Sequence, residues 1–140
     1  MNFLLPILDQ VLFPLSFKRN LHRLPVESYA LIQDSGGAGK FRGGLGVERI
    51  LIPMSHDSRL IAAFERQKNT KPWGLFGGKD GRVNLLKIHK KDGRVEDHEK
   101  VTDFLVRSGE KVQYLTGGGG GYGDPLDRDP SKVLSDVENG

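Results

Sequence analysis

Five glycines in a row, Gly117 to Gly121, constrain this chain more than any other feature. An isolated glycine reads as a turn, but an unbroken run of five is too long to be a hairpin loop alone. Held in a regular strand or helix, each would cost about 0.5–1 kcal/mol relative to alanine. The run makes sense where backbone packs directly on backbone, where φ is positive, or where a partner surface orders it. Closely packed polyproline II-like backbone is one arrangement that glycine alone permits sterically. Two more glycine-rich segments occur at Ser35 to Gly46 (SGGAGKFRGGLG) and Gly74 to Gly81 (GLFGGKDG). With 19 glycines and a hydrophobic share of 36% in 140 residues, the chain is poorly supplied for a self-sufficient core.

Between these segments the sequence reads as short strands. Val26 to Ile32, Val47 to Ile52, Arg59 to Phe64 and Val83 to Ile88 are rich in apolar residues. Lys100 to Val106 alternates, with Thr102, Phe104 and Val106 on one face and Val101, Asp103 and Leu105 on the other; Lys111 to Leu115 follows a turn at Ser108-Gly109-Glu110. Asp92-Gly93 after Val83 to Ile88 has the composition of a two-residue type I′ hairpin, in which both central residues need positive φ. A second pair, Asp80-Gly81, precedes the same strand. Short strands at close spacing suggest an all-β sandwich or barrel. At the end, Asp129-Pro130 places a capping carboxylate before proline at the first helical position, and Val133, Leu134 and Val137 follow at helical spacing.

Several function classes find no support. There is no cysteine, which excludes disulfides and thiolate zinc sites and fits a reducing cytoplasm. The net charge of +3 comes without a run of like charges that would suggest a nucleic-acid arm. Met1 to Phe17 is apolar, but it lacks a basic start and is interrupted by Asp9, Pro6 and Pro14. It fits neither a signal peptide nor a membrane span, and reads better as an extended segment packed on a neighbour or the start of an incomplete protein. Gly39-Lys40 is not a P-loop, since Asp34 stands where its first glycine belongs and Phe41 where it needs Ser or Thr. Gly37-Ala38-Gly39 is followed by Arg42 in place of the third glycine of a dinucleotide fingerprint. The Arg42-Gly43-Gly44 and Gly121-Tyr122-Gly123 runs lack the repetition of RNA-binding tracts.

Catalytic candidates are equally sparse. His22, His56, His89 and His98 include no pair at chelating i, i+2 or i, i+4 spacing. Ser35 stands beside glycine-rich backbone without a nucleophile elbow around it, so Asp34 and Ser35 read first as turn or capping residues. The lone tryptophan, in Pro72-Trp73-Gly74, is either an anchor in a packed loop or a partner contact.

Taken in order, three segments resemble one family. Asp34-Ser35-Gly36-Gly37-Ala38-Gly39-Lys40-Phe41-Arg42-Gly43-Gly44-Leu45-Gly46-Val47 is similar to the D-S-G-G-A-G-x-[YF]-R-G-G-x-G signature of hydantoinase B/5-oxoprolinase subunits. Pro72-Trp73-Gly74-Leu75-Phe76-Gly77-Gly78 resembles their P-x-G-x-x-G-G segment. Gly117-Gly118-Gly119-Gly120-Gly121-Tyr122-Gly123-Asp124-Pro125, then Arg128-Asp129-Pro130, resembles their closing stretch. The likeness covers residues 24–140 as one C-terminal domain, with 1–23 a poorly matched extension.

The resemblance implies an ATP-dependent system that opens cyclic amides such as 5-oxoproline or hydantoin, with related ketone carboxylases. A hydantoinase A-like partner would bind ATP with magnesium and phosphorylate the substrate carbonyl oxygen; the B-type part would complete ring opening or carboxylation. The metal ligands and most catalytic groups of B-type subunits are expected in the N-terminal portion that this chain does not match. The resemblance therefore implies no catalytic residue, metal ligand or cofactor here. It implies a structural role for the signatures, with the rest of the B-type subunit and the A-like subunit as partners and no nucleic acid or membrane. The expected fold is mainly β, a short-stranded sandwich or barrel-like sheets with glycine-rich polyproline II-like segments and a short C-terminal helix.

Overall fold

The computed structural model describes residues 25–65 and 69–139, so the expectations for Met1 to Phe17 and for His22 lie outside the described residues. The chain divides into two compact units. Of the described residues, the first unit takes 25–29, Glu48–Phe64 and Leu85–Tyr114. The second takes Ala30–Val47, the described part of Glu65–Asn84, and 115–139.

The strands are β1 (Val26–Leu31), β2 (Val47–Leu51), β3 (Ser58–Ala63), β4 (Leu85–His89), β5 (Val95–His98), β6 (Lys100–Val106) and β7 (Lys111–Leu115). One sheet runs β1-β2-β7-β4-β5 and a second pairs β3 with β6. The chain is mainly β with its strands in two separate sheets, and among the described residues no barrel closes. Alternation positions the core. Leu86 and Ile88 of β4, Val112 and Tyr114 of β7, Leu60 and Ala62 of β3, and Val101 and Val106 of β6 form a single buried cluster. Each fully buried aliphatic side chain stabilises the fold by about 1.5–3 kcal/mol.

Two local expectations are corrected. Strict alternation on β6 puts Val101 and Val106 on opposite faces, yet both are buried. The cause is a β-bulge. Leu60 pairs with Phe104 and Ala62 with Val101, so Ile61 faces both Thr102 and Asp103. Asp103 takes up the extra residue at φ 56°, which resets the side-chain parity. The β4–β5 hairpin is also not the two-residue form. Of Asp92 and Gly93 only the glycine has positive φ, at 86°. Lys90 N–H donates to Arg94 O at 2.8 Å and Gly93 N–H to Lys90 O at 3.1 Å, which is the three-residue loop with a left-handed glycine. The Asp92 carboxylate accepts from Arg94 N–H and from its guanidinium Nε at 3.0 and 2.8 Å. That side-chain hydrogen bond holds the Asp92 carboxyl below its usual pKa and raises Arg94 above its own. β5 (VEDH) was not expected as a separate strand, because its sequence carries almost no apolar signal.

The second unit carries a 3₁₀ turn at Pro125–Asp127, capped by Asp124 through Leu126 N–H at 2.9 Å. Helix α1 (Pro130–Asn139) follows. Asp129 caps it as expected, accepting from Ser131 N–H at 2.9 Å and from Ser131 Oγ–H at 2.7 Å. Among the described residues no helix is long and apolar enough to cross a membrane.

Candidate functional site

The three glycine-rich segments come together in the second unit as a bundle of extended backbone. Gly37 N–H donates to Gly119 O, Gly119 N–H to Gly44 O, Lys79 N–H to Ala38 O, Gly121 N–H to Lys79 O and Arg82 N–H to Ser35 O, all between 2.7 and 2.9 Å. The contacts repeat every three residues. The Cα of Gly118 abuts Ser35 and that of Gly121 abuts Ala38; Gly46 abuts Thr116 and Gly43 abuts Gly119. A repeat of three is the period of the polyproline II helix, whose backbone makes its hydrogen bonds to neighbours and not internally.

Glycine is required where a Cβ would meet backbone. One added at Gly39 would lie 2.7 Å from Tyr122 N, and at Gly37 2.7 Å from Gly121 N. Gly36, Gly43, Gly46, Gly78, Gly117, Gly118, Gly120 and Gly121 are closed off in the same way, by carbonyl groups. Gly77 and Gly123 instead have positive φ, 93° and 75°. Gly44 alone among the signature glycines is open, with nothing within 4 Å of its would-be Cβ and no positive φ. The Gly37, Gly43 and Gly119 N–H groups all point to backbone carbonyls, an arrangement that does not fit a phosphate cradle.

Polar residues lock this bundle. Ser35 is 1% exposed; its hydroxyl donates to Ile32 O at 2.6 Å and accepts from Gly46 N–H at 2.7 Å. Asp34, at φ 54°, accepts from Arg42 at 3.2 Å. Asp80 of the second Asp-Gly pair accepts from Gly74 N–H at 3.2 Å, so this pair braces the bundle and does not make a strand-leading turn. Arg128 donates to Asp136 at 2.8 Å and to Lys40 O at 3.2 Å, and Arg42 lies 3.7 Å from the same Asp136 oxygen.

The outward side of the bundle is aromatic. Tyr122 is at its centre, exchanging backbone hydrogen bonds with Phe41 (3.0 and 2.9 Å), while the following Gly123 N–H donates to Leu75 O at 2.9 Å. The Tyr122 ring lies 5.0 Å from Phe76 and 6.2 Å from Phe41 in tilted geometry. Phe41, Leu75, Phe76 and Tyr122 are all exposed, Phe76 at 78%. Phe76 also holds φ at 50°, a left-handed conformation that is a genuine outlier for a bulky residue. Trp73 is 72% exposed, so it does not anchor the interior of its own loop. Exposed aromatic clusters of this kind mark interaction surfaces. Phe41, Leu75, Phe76 and Tyr122 all belong to the three signatures, but no local pattern announces that they meet on one face.

The described histidines do not converge. His56 Nδ1 meets Ser55 Oγ at 2.9 Å, His89 Nε2 meets Gln113 Oε1 at 2.7 Å, and His98 lies 3.5 Å from Glu96. Among the described residues no group of three or more His, Cys, Asp or Glu is placed to hold a metal ion.

Comparison with known proteins agrees with the bundle's signatures. Residues 22–125 match the family model described as hydantoinase B/oxoprolinase. The chain is 36% identical over 126 residues to an uncharacterized protein of Methanocaldococcus jannaschii, covering 90% of this chain and 22% of that one. It is 36% identical over 119 residues to the caprolactamase subunit beta of Pseudomonas jessenii, covering 82% and 20%. The crystal structure of the ATP-dependent caprolactamase from Pseudomonas jessenii superposes with a TM-score of 0.77 at 34% identity, covering 91% of this chain and 22% of that one. The chain thus spans about a fifth of the length of the relatives it matches. It belongs to the hydantoinase B/oxoprolinase family.

Proposed function

We propose that the chain serves as the C-terminal portion of the B-type subunit of an ATP-dependent cyclic amide hydrolase, acting in the cytoplasm. Its role is structural and subunit-packing. The family's chemistry then depends on the remainder of the B-type subunit and on an A-like partner that holds ATP with magnesium. The observation that supports this most directly is the exposed aromatic face of Phe41, Phe76 and Tyr122. The face is mounted on a bundle whose own hydrogen bonds are made internally. A strained, exposed aromatic residue is unfavourable twice over, and a partner surface offsets both costs.

Reconstitution tests the reading. The chain would be assayed alone and with an A-type subunit plus a B-type subunit lacking the matched fifth, with ATP and either 5-oxoproline or hydantoin. Turnover is expected only in the full mixture. Turnover of either substrate by the chain alone would overturn the proposal.

A further inference from the structure

Helix α1 is attached with its apolar stripe outward. A short amphipathic helix ordinarily buries its apolar stripe and leaves its charges in water. Here Val133, Leu134 and Val137 make the stripe, at i, i+1 and i+4, and all three are exposed, at 44%, 58% and 75%. What holds the helix is polar. Asp136, off the stripe, accepts from Arg128 at 2.8 Å and lies 3.7 Å from Arg42. Both arginine side chains are largely buried, at 16% and 19% exposure. Arg128 is further fixed by its 3.2 Å bond to Lys40 O. The ion pairs therefore set the rotation of α1 and leave the stripe facing outward.

Ten residues are below the length at which an isolated helix is stable in water, and most helical stability in proteins comes from packing an apolar face. In α1 that contribution is missing among the described residues. The chemistry of the stripe indicates what supplies it. Separable interfaces are enriched in aromatic side chains, and the face around Tyr122 is aromatic in the same way. A stripe of valine and leucine alone has the composition of a domain interior. Most of the relatives' length lies outside the segment this chain matches, which is 22% of the caprolactamase chain.

We propose that the Val133, Leu134 and Val137 stripe is covered by the remainder of the B-type subunit itself, as an extension of that subunit's core, with Asp136 as the pin that orients it. The proposal rests on the reading of function given above and commits to one occupant, not the A-like subunit and not a second copy.

The test measures binding of the full 140-residue chain to the beta subunit of Pseudomonas jessenii caprolactamase lacking the matched fifth, after circular dichroism has shown that this subunit is folded. Leu134→Lys with Val137→Lys is compared with Val95→Lys, which alters a similarly exposed apolar position on β5. Because the stripe is exposed, the double variant should keep the wild-type circular dichroism and melting temperature. The expected result is a loss of affinity of about tenfold or more for the double variant and none for Val95→Lys. Binding that the double variant leaves unchanged overturns this inference and leaves the functional reading standing. No binding by the wild-type chain overturns both. A wild-type dimer that the double variant converts to monomer assigns the stripe to self-association, and an effect that requires the A-like subunit assigns it there; either overturns the proposal.

Discussion

Gly37 donates its N–H to the carbonyl of Gly119 at 2.8 Å, which ties the first glycine signature to the centre of the last across 82 positions of sequence (119 − 37). Gly37 is held there by its other neighbours, since a Cβ on it would meet the backbone of Lys79, Asp80 and Gly121, while one on Gly119 would lie 3.2 Å from Gly44 N. The signatures are therefore one structural object, built from segments far apart in sequence.

That geometry separates two glycines of the same motif. Gly37→Ala would drive a methyl group to 2.7 Å from Gly121 N and 2.9 Å from the Asp80 carbonyl carbon. Its neighbours are backbone and cannot swing aside, so the expected loss is about 3 kcal/mol, at the upper end of overpacking. Gly44→Ala meets open space at an ordinary φ; it should be neutral or stabilise by about 0.4–1 kcal/mol by restricting the unfolded chain. Urea denaturation of the two variants side by side checks both signs.

Ser35→Ala should cost about 1–3 kcal/mol. The substitution removes a donor to Ile32 O and leaves the Gly46 N–H without its acceptor in a site only 1% exposed. The same denaturation experiment measures it, with the expected change in midpoint and none in slope.

How far the fold was legible depended on whether a residue's role is local. β6 and β7 have their expected bounds because Lys100 to Val106 and Lys111 to Leu115 are delimited by apolar content and turns. The Asp129 cap was legible for the same reason. The parity of Val101 and Val106 was not, since a bulge at Asp103 depends on the pairing partner β3. Gly93 was placed in the right turn with the wrong loop length, because loop length depends on where β4 and β5 come into register. The glycine runs indicated close backbone packing, while the partner of each glycine is set by long-range assembly. The apolar spacing of Val133, Leu134 and Val137 identified the helix correctly, but spacing alone does not reveal which side of a helix its unit covers.

Alkaline pH gives a direct probe of the first unit's core. Burial pushes the Tyr114 phenol up to about 12 from 10.0, with Arg49 acting weakly in the opposite sense. A folded-state pKa above the unfolded one means the unfolded chain ionises first. The contribution of Tyr114 is therefore complete below pH 10 and is lost as the pH rises through about 12. Tyr114→Phe should flatten the fall in melting temperature over that window, with phenolate absorbance following the ionisation in the parent chain.

Acid should act on α1 in the opposite direction. The Ser131 hydroxyl hydrogen bond, assisted by the Ser131 N–H, holds the Asp129 carboxyl below its ordinary 3.8. A depressed folded-state pKa gives stability that is present above 3.8 and lost as the pH falls through the lower folded value. Helical circular dichroism should decline over that range in the parent chain. Asp129→Asn, which caps without ionising, should remove the dependence.

Phe76→Gly sets stability against assembly. The native φ of 50° is strained for phenylalanine and free for glycine. The lost ring is 78% exposed, so its removal leaves little unburied in the isolated chain. The left-handed conformation costs an L-residue about 1–2 kcal/mol, which glycine recovers in the folded state and partly returns through its greater unfolded entropy. The isolated variant should therefore be as stable as the parent or more so by about 1 kcal/mol. In the reconstituted hydrolase the same change removes the ring 5.0 Å from Tyr122, and assembly and turnover should fall together. Stability measured on the isolated chain and turnover measured on the mixture would then move in opposite directions, the pattern of a residue retained for a contact that its own domain does not make.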